Sequence, residues 1–167
     1  MIQLKLSIFM QLFKSGRKIK TEEIFAAKAN ALMSRAAARD LYDFCNMIDQ
    51  NTISGKEDLF RKCTVFYETI SAKEVNRSFD TAAIDKLSFS RIRTDLFPVL
   101  GVNKKFALEE KKLQAKEFIA AVMMLQDGEK EYMDRFILKE YRPELLFGDY
   151  EIVERIKNHP MALWKCR

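Results

Sequence analysis

Glu22-Glu23-Ile24-Phe25-Ala26-Ala27-Lys28, followed by Arg35 and then by Arg39-Asp40-Leu41-Tyr42-Asp43-Phe44, decides how this chain folds and where its chemistry sits. Thr21 is placed to cap a first helix, with Glu22 and Glu23 complementing the dipole in its first turn. At about 100° per residue, Phe25, Ala29, Leu32 and Met33 form an apolar stripe, and Lys28 and Arg35 run along one border of it. Ala36-Ala37-Ala38 allows a bend, or a near-continuous passage, into a second helix from Arg39 to Asp49. There Leu41, Phe44, Cys45 and Ile48 face the core, while Asp40, Asp43 and Met47 line the adjacent strip, the carboxylates sharing one side through their i, i+3 spacing. A lysine and two carboxylates at the edges of consecutive helices suit the handling of a metal-bound phosphate.

Composition narrows the classes. The 167 residues are enough for one domain with a sizeable core, and 48% hydrophobic with 32% charged side chains is ordinary for a globular chain. Only 5 Gly and 3 Pro disfavour an all-β fold with many tight turns. No apolar run is long enough to cross a bilayer. Met1 to Met10 is fairly apolar, but Lys5 interrupts it and no small-residue cleavage site follows, which argues against a signal peptide. Cys45, Cys63 and Cys166 are spaced for neither a disulfide framework nor a zinc site, and one histidine excludes His-rich metal chemistry. Reduced, buried thiols and a cytoplasmic location follow as expectations. The net charge of +5 is lopsided: residues 1–40 hold eight basic and three acidic side chains, whereas residues 41–167 balance. A positive end attracts nucleotides or an RNA backbone; it is also what a solvated, self-repelling surface looks like.

Along the chain, Ile2 to Phe9 alternates apolar and polar residues as one half-buried strand, and Lys14 to Lys20 is a basic connector turning at Gly16. A capping box at Ser54-Gly55-Lys56-Glu57 predicts a third helix through Ile70, and a second box at Ser71-Ala72-Lys73-Glu74 predicts a short turn. Ile84 to Leu96 reads as helix broken by Pro98. A long helix spans Phe106 to Gln126, with Phe118, Ile119, Val122, Met123 and Leu125 on its buried side; Asp127-Gly128 ends it. Glu129 to Tyr141 is the last sizeable helix, and Glu151 to Lys157 a short one in the tail. His159 reads as a turn or capping residue, and Phe147 and Trp164 as aromatic plugs holding the tail.

The first stretch, together with Tyr141-Arg142-Pro143-Glu144-Leu145-Leu146-Phe147 and His159-Pro160-Met161-Ala162-Leu163-Trp164-Lys165, resembles the AbiEii/AbiGii nucleotidyltransferase toxins. Members join an N-terminal α/β nucleotidyltransferase core to a C-terminal helical region and transfer a nucleotide from a nucleoside triphosphate, in some members to tRNA. The resemblance implies nucleotide and phosphate binding by Lys28, Arg35 and Arg39, a catalytic Asp40 supporting metal or acceptor hydroxyl, and a supporting Asp43. Arg39 and Asp43 would orient these groups or bind one another. It also implies Mg2+ and a nucleoside triphosphate as cofactor and substrate, and an antitoxin as partner. The family's metal site is a Gly-Ser followed by Asp-x-Asp, and neither motif stands in this sequence.

The resulting expectation is a mainly α, bundle-like C-terminal half of a nucleotidyltransferase-fold protein. Residues 1–20 form a residual strand and basic connector, and residues 21–167 the helical domain of six or seven helices. This half would face nucleotide and substrate, bind no metal, and stay inactive until a missing N-terminal catalytic segment completes it. A non-catalytic helical module that binds RNA or a partner protein is the alternative. No membrane is implied, and an unpaired strand would favour a homodimer.

Overall fold

The computed structural model describes residues 21–100 and 106–167. The strand expected over Ile2 to Phe9 and the basic connector lie outside these residues. Among the described residues there are ten α-helices, one 3-10 turn and no strand, so the mainly α expectation holds. The helices are α1 (Thr21–Arg35), α2 (Ala38–Asp49), α3 (Glu57–Ser71), α4 (Ala82–Asp85), α5 (Phe89–Asp95), α6 (Phe97–Leu100), α7 (Leu108–Val122), α8 (Asp127–Ile137), α9 (Tyr150–Ile156) and α10 (Pro160–Lys165), with the 3-10 turn at Pro143–Leu145. No helix among them is long and apolar enough to cross a membrane.

Four phenylalanines lock the centre. Phe25 of α1 lies 4.7 Å from Phe44 of α2, 4.9 Å from Phe60 of α3 and 5.7 Å from Phe118 of α7, centroid to centroid. Phe118 closes the set at 5.7 Å from Phe44 and 6.0 Å from Phe60. Tilted and edge-on rings at these separations add about 0.5–1.5 kcal/mol per pair to plain burial. Around them the expected stripes are buried: Ala29 and Leu32 on α1, Leu41 and Cys45 on α2, Ile119 and Met123 on and just past α7.

A buried ion pair joins α3 to α8. Arg61 Nε donates to both oxygens of Glu129 at 2.8 and 2.9 Å, and its Nη2 donates to Asp58. Glu129, 2% exposed, also accepts the Gln126 N–H at 2.8 Å and so closes the first turn of α8. Asp127-Gly128 therefore opens α8 and does not terminate α7, which stops at Val122. Glycine eases a close approach there, since a Cβ at 128 would meet the Leu145 carbonyl at 3.0 Å and push that backbone back by a few tenths of an ångström.

Other local expectations shift for identifiable reasons. Ser54 stands two residues outside the α3 cap, where Gly55 (φ +75°) turns the chain; neither half of that box forms, and Glu57 accepts the Gly55 N–H instead. Ser71 ends α3 and starts nothing. The segment from Ile84 to Leu96 divides into α4 and α5, because Ser88 leaves the helical conformation and accepts from Arg91 N–H. Pro98 sits in the first turn of α6, where its missing N–H is harmless.

The tail is pinned by lysines and by His159. Lys139 Nζ donates to the Lys165 carbonyl at 2.5 Å, and Lys165 Nζ donates to the Thr69 carbonyl at 3.2 Å and to that of Ala72 at the end of α3. His159 precedes α10, as a capping residue should, though its side chain makes no cap bond; its ring meets Phe66 edge-on at 5.4 Å. Phe147 is buried against Phe66, but Trp164 is 65% exposed and plugs nothing, since α10 is docked through Ala162 on its other side.

Replacing Glu129 by Ala leaves the buried guanidinium of Arg61 with only the exposed Asp58 as counter-charge and should cost about 3 kcal/mol in urea unfolding, most of it recovered in an Arg61→Met, Glu129→Leu double variant. Burial with no partner for Nδ1 holds the His159 imidazole below its ordinary pKa. The unfolded chain then binds a proton more readily than the folded one, so stability is lost as pH falls below about 6.5. With a single histidine in the chain, melting temperature should drop between about pH 7.5 and 5.5, and His159→Phe should flatten that drop.

Candidate functional site

The α1–α2 hairpin brings the expected residues together, but pairs them. Lys28 Nζ donates to Asp43 Oδ2 at 2.5 Å. Arg35 grips Asp40 with two bonds, Nε to Oδ2 at 2.7 Å and Nη2 to Oδ1 at 3.1 Å. Both cations come from α1 and both carboxylates from α2, and residue 28 meeting 43 while 35 meets 40 is the order of an antiparallel hairpin. The bend that makes this possible is Ala36, which takes a left-handed φ of 44° and bonds its N–H to Leu32 O at 3.0 Å. An alanine there carries a backbone cost of about 1 kcal/mol, and its methyl group is buried in return.

The two pairs differ in setting. Asp40 is 4% exposed by side chain, yet its Arg35 partner is 57% exposed, so a buried anion holds a guanidinium out toward water. The Asp40 hydrogen bond raises the Arg35 pKa further above its ordinary value, with burial opposing. Lys28 and Asp43 are both partly open, at 35% and 41%. Asp40 therefore has the strongest partner in the site. Arg39 and Asp43 do not bind one another: Arg39 Nε donates to the Asp95 carbonyl at 3.0 Å, at the end of α5. Glu22 and Glu23 do more than face the helix dipole; Glu22 takes Lys56 at 2.5 Å and Glu23 takes Arg155 of α9.

A metal fits poorly here. Among the described residues no three His, Cys, Asp or Glu side chains converge, and Asp40 and Asp43 are each already neutralised by a cation. Cys45 is no reserve ligand, because burial pushes its thiol up to about 12. What the hairpin offers is two cations whose remaining donors face outward: two on the lysine ammonium and a free edge on the guanidinium.

The family model of the nucleotidyl transferase AbiEii toxin, from type IV toxin–antitoxin systems, matches residues 19–139. The chain belongs to the AbiEii family. No curated protein and no solved structure matches it. The match contains α1 through α8, and with them every candidate residue of the hairpin; the tail motifs from Tyr141 onward lie beyond it. Membership in AbiEii brings nucleotidyl transfer as the toxin's chemistry and an antitoxin as the counterpart of such a toxin.

A cleft of about 300 Å³ lies elsewhere, lined by Arg77, Phe79, Lys116, Ile119 and Met123 among others. Its cations are committed to Asp134 and Asp85. Sequence reading missed it because its walls come from the irregular segment after α3 and from α7.

Removing the two hairpin carboxylates should have unequal effects. Asp40→Ala loses a buried, two-pronged bond and should cost about 2 kcal/mol in chemical denaturation. Asp43→Ala loses a half-open pair and should stay within about 0.5 kcal/mol.

Proposed function

We propose that the α1–α2 hairpin is the phosphate grip of an AbiEii nucleotidyltransferase, receiving the triphosphate of a nucleoside triphosphate whose nucleotide passes to an acceptor such as tRNA. Lys28 acts as a point charge and Arg35 as a fork, both suited to phosphate oxygens. Asp40 works through Arg35, fixing the direction of its guanidinium, and Asp43 does the same for Lys28. Arg39, bound to the end of α5, lies beside this grip in sequence and carries a charge toward the acceptor side. The observation that carries the reading is the Arg35–Asp40 pair: a carboxylate is buried in order to aim an exposed cation at solvent.

Because the hairpin carboxylates are spent on its own cations, the metal-dependent step belongs to acidic residues other than these. The family's Gly-Ser and Asp-x-Asp strands are of that kind, and neither motif stands in the sequence. The hairpin is thus read as a binding element, and no transfer step is assigned to it. The alternative, a helical module that holds RNA without catalysis, shares the basic surface but needs neither nucleotide nor magnesium.

Calorimetric titration with each of the four nucleoside triphosphates should show binding that Lys28→Ala and Arg35→Gln each weaken about tenfold, a loss near 1.4 kcal/mol. Asp40→Asn should weaken it less, through a loosened Arg35. The chain incubated with magnesium, labelled nucleotide and tRNA should transfer nothing. Unchanged affinity in both cation variants would remove the grip, and labelling that Asp40→Ala abolishes would show that the hairpin itself is catalytic.

A further inference from the structure

We infer that the face formed by α5 and the turn before it binds single-stranded polynucleotide, with a base stacked on Phe89 and phosphates held by Arg91, Arg93 and Lys86. Residues 85–95 hold three cations, Lys86, Arg91 and Arg93, between Asp85, which Lys116 binds, and Asp95. Most described basic side chains are ion-paired; Lys86, Arg91, Arg93 and Arg39 take part in no ion pair with a described carboxylate. Cations left without counter-charge on one short stretch complement a polyanion.

Phe89 supplies the second part. It is 56% exposed, yet its ring packs perpendicular to that of Phe97 at 5.8 Å. The ring is thereby held in place while more than half of it stays in water, which is the condition for stacking a base at low ordering cost. Phe89 and Arg93 are four residues apart on α5, which sets the guanidinium on the same side as the ring. Ile92 and Leu96, at 0% and 2% exposure, anchor α5 in the core. The Arg39 bond to the Asp95 carbonyl ties this face to the residue next to Asp40. Its role as the approach of the acceptor strand rests on the nucleotide-grip reading; its binding of a strand does not.

The test uses the full chain and a 5′-fluorescein oligouridylate of about twelve nucleotides, followed by anisotropy without nucleotide or magnesium. Arg91→Gln with Arg93→Gln should weaken binding about tenfold and flatten the slope of log affinity against log salt by about 1.4. Phe89→Ala should weaken it about tenfold with the slope unchanged. Lys130→Gln, a charge loss on α8, should do neither. Equal loss in the Lys130 variant, no loss in the α5 variants, or a duplex of the same length bound as tightly as the strand would overturn the proposal. So would sedimentation showing that Phe89→Ala splits a dimer while oligouridylate affinity is untouched. Nucleoside triphosphate affinity should be the same in wild type and α5 variants. If Lys28→Ala leaves that affinity unaltered while Arg91 and Arg93 still govern strand binding, only the nucleotide grip falls.

Discussion

Phe25 is the side chain on which the arrangement depends. It touches the rings of Phe44, Phe60 and Phe118, one each from α2, α3 and α7. Ring packing of this kind fixes both the separation of helices and their rotation about their own axes. Lys28 lies three residues beyond Phe25 and Asp43 one residue before Phe44, so turning either helix would carry its charged member away from its partner. The polar hairpin is in this sense a consequence of the apolar centre.

Charge pairing on the hairpin has two sides. A cation next to a carboxylate attracts phosphate less than a bare one, because part of its field is cancelled. The same carboxylate removes the entropy that a long side chain would lose on binding. For Arg35 the balance favours direction, since the guanidinium is planar and offers a second edge once Asp40 has taken the first. Lys28 has no such edge, and its pair with Asp43 is open to water on both partners. Phosphate can replace Asp43 there without stranding a buried charge, whereas replacing Asp40 would leave one behind.

The helices were legible because their core stripes are regular: Phe25, Ala29 and Leu32, or Leu41, Phe44 and Cys45, follow the helical period closely. Pairings were not legible: Arg39 and Asp43, four apart on one helix, bind other partners. Arg35–Asp40 crosses the bend at Ala36, and a left-handed alanine leaves no trace in a pattern of apolar spacing. The long reach of Glu23 to Arg155 is set by tertiary packing alone. Cap positions failed for a related reason: Gly55 turns the chain after Ser54 and moves the α3 cap to Lys56, and the Arg61–Glu129 pair holds a first turn of α8 that opens two residues before the expected start at Glu129. Trp164 misled because size alone suggests burial, while α10 offers its small Ala162 to the core.

Net charge gives a final constraint. Residues 1–20 and 101–105 carry seven of the 29 basic side chains and no acidic one, so the described residues set 22 cations against all 24 carboxylates. The described residues alone thus exert no general pull on a polyanion, and at ordinary salt the field of any one charge fades within about 8 Å. Among them, attraction comes from places where cations are locally in excess. The α5 face is one, and through Arg39 it adjoins the hairpin, where the cations are matched one for one. A phosphate chain would be drawn to the first and oriented at the second, a division of work that neither set of residues could perform alone.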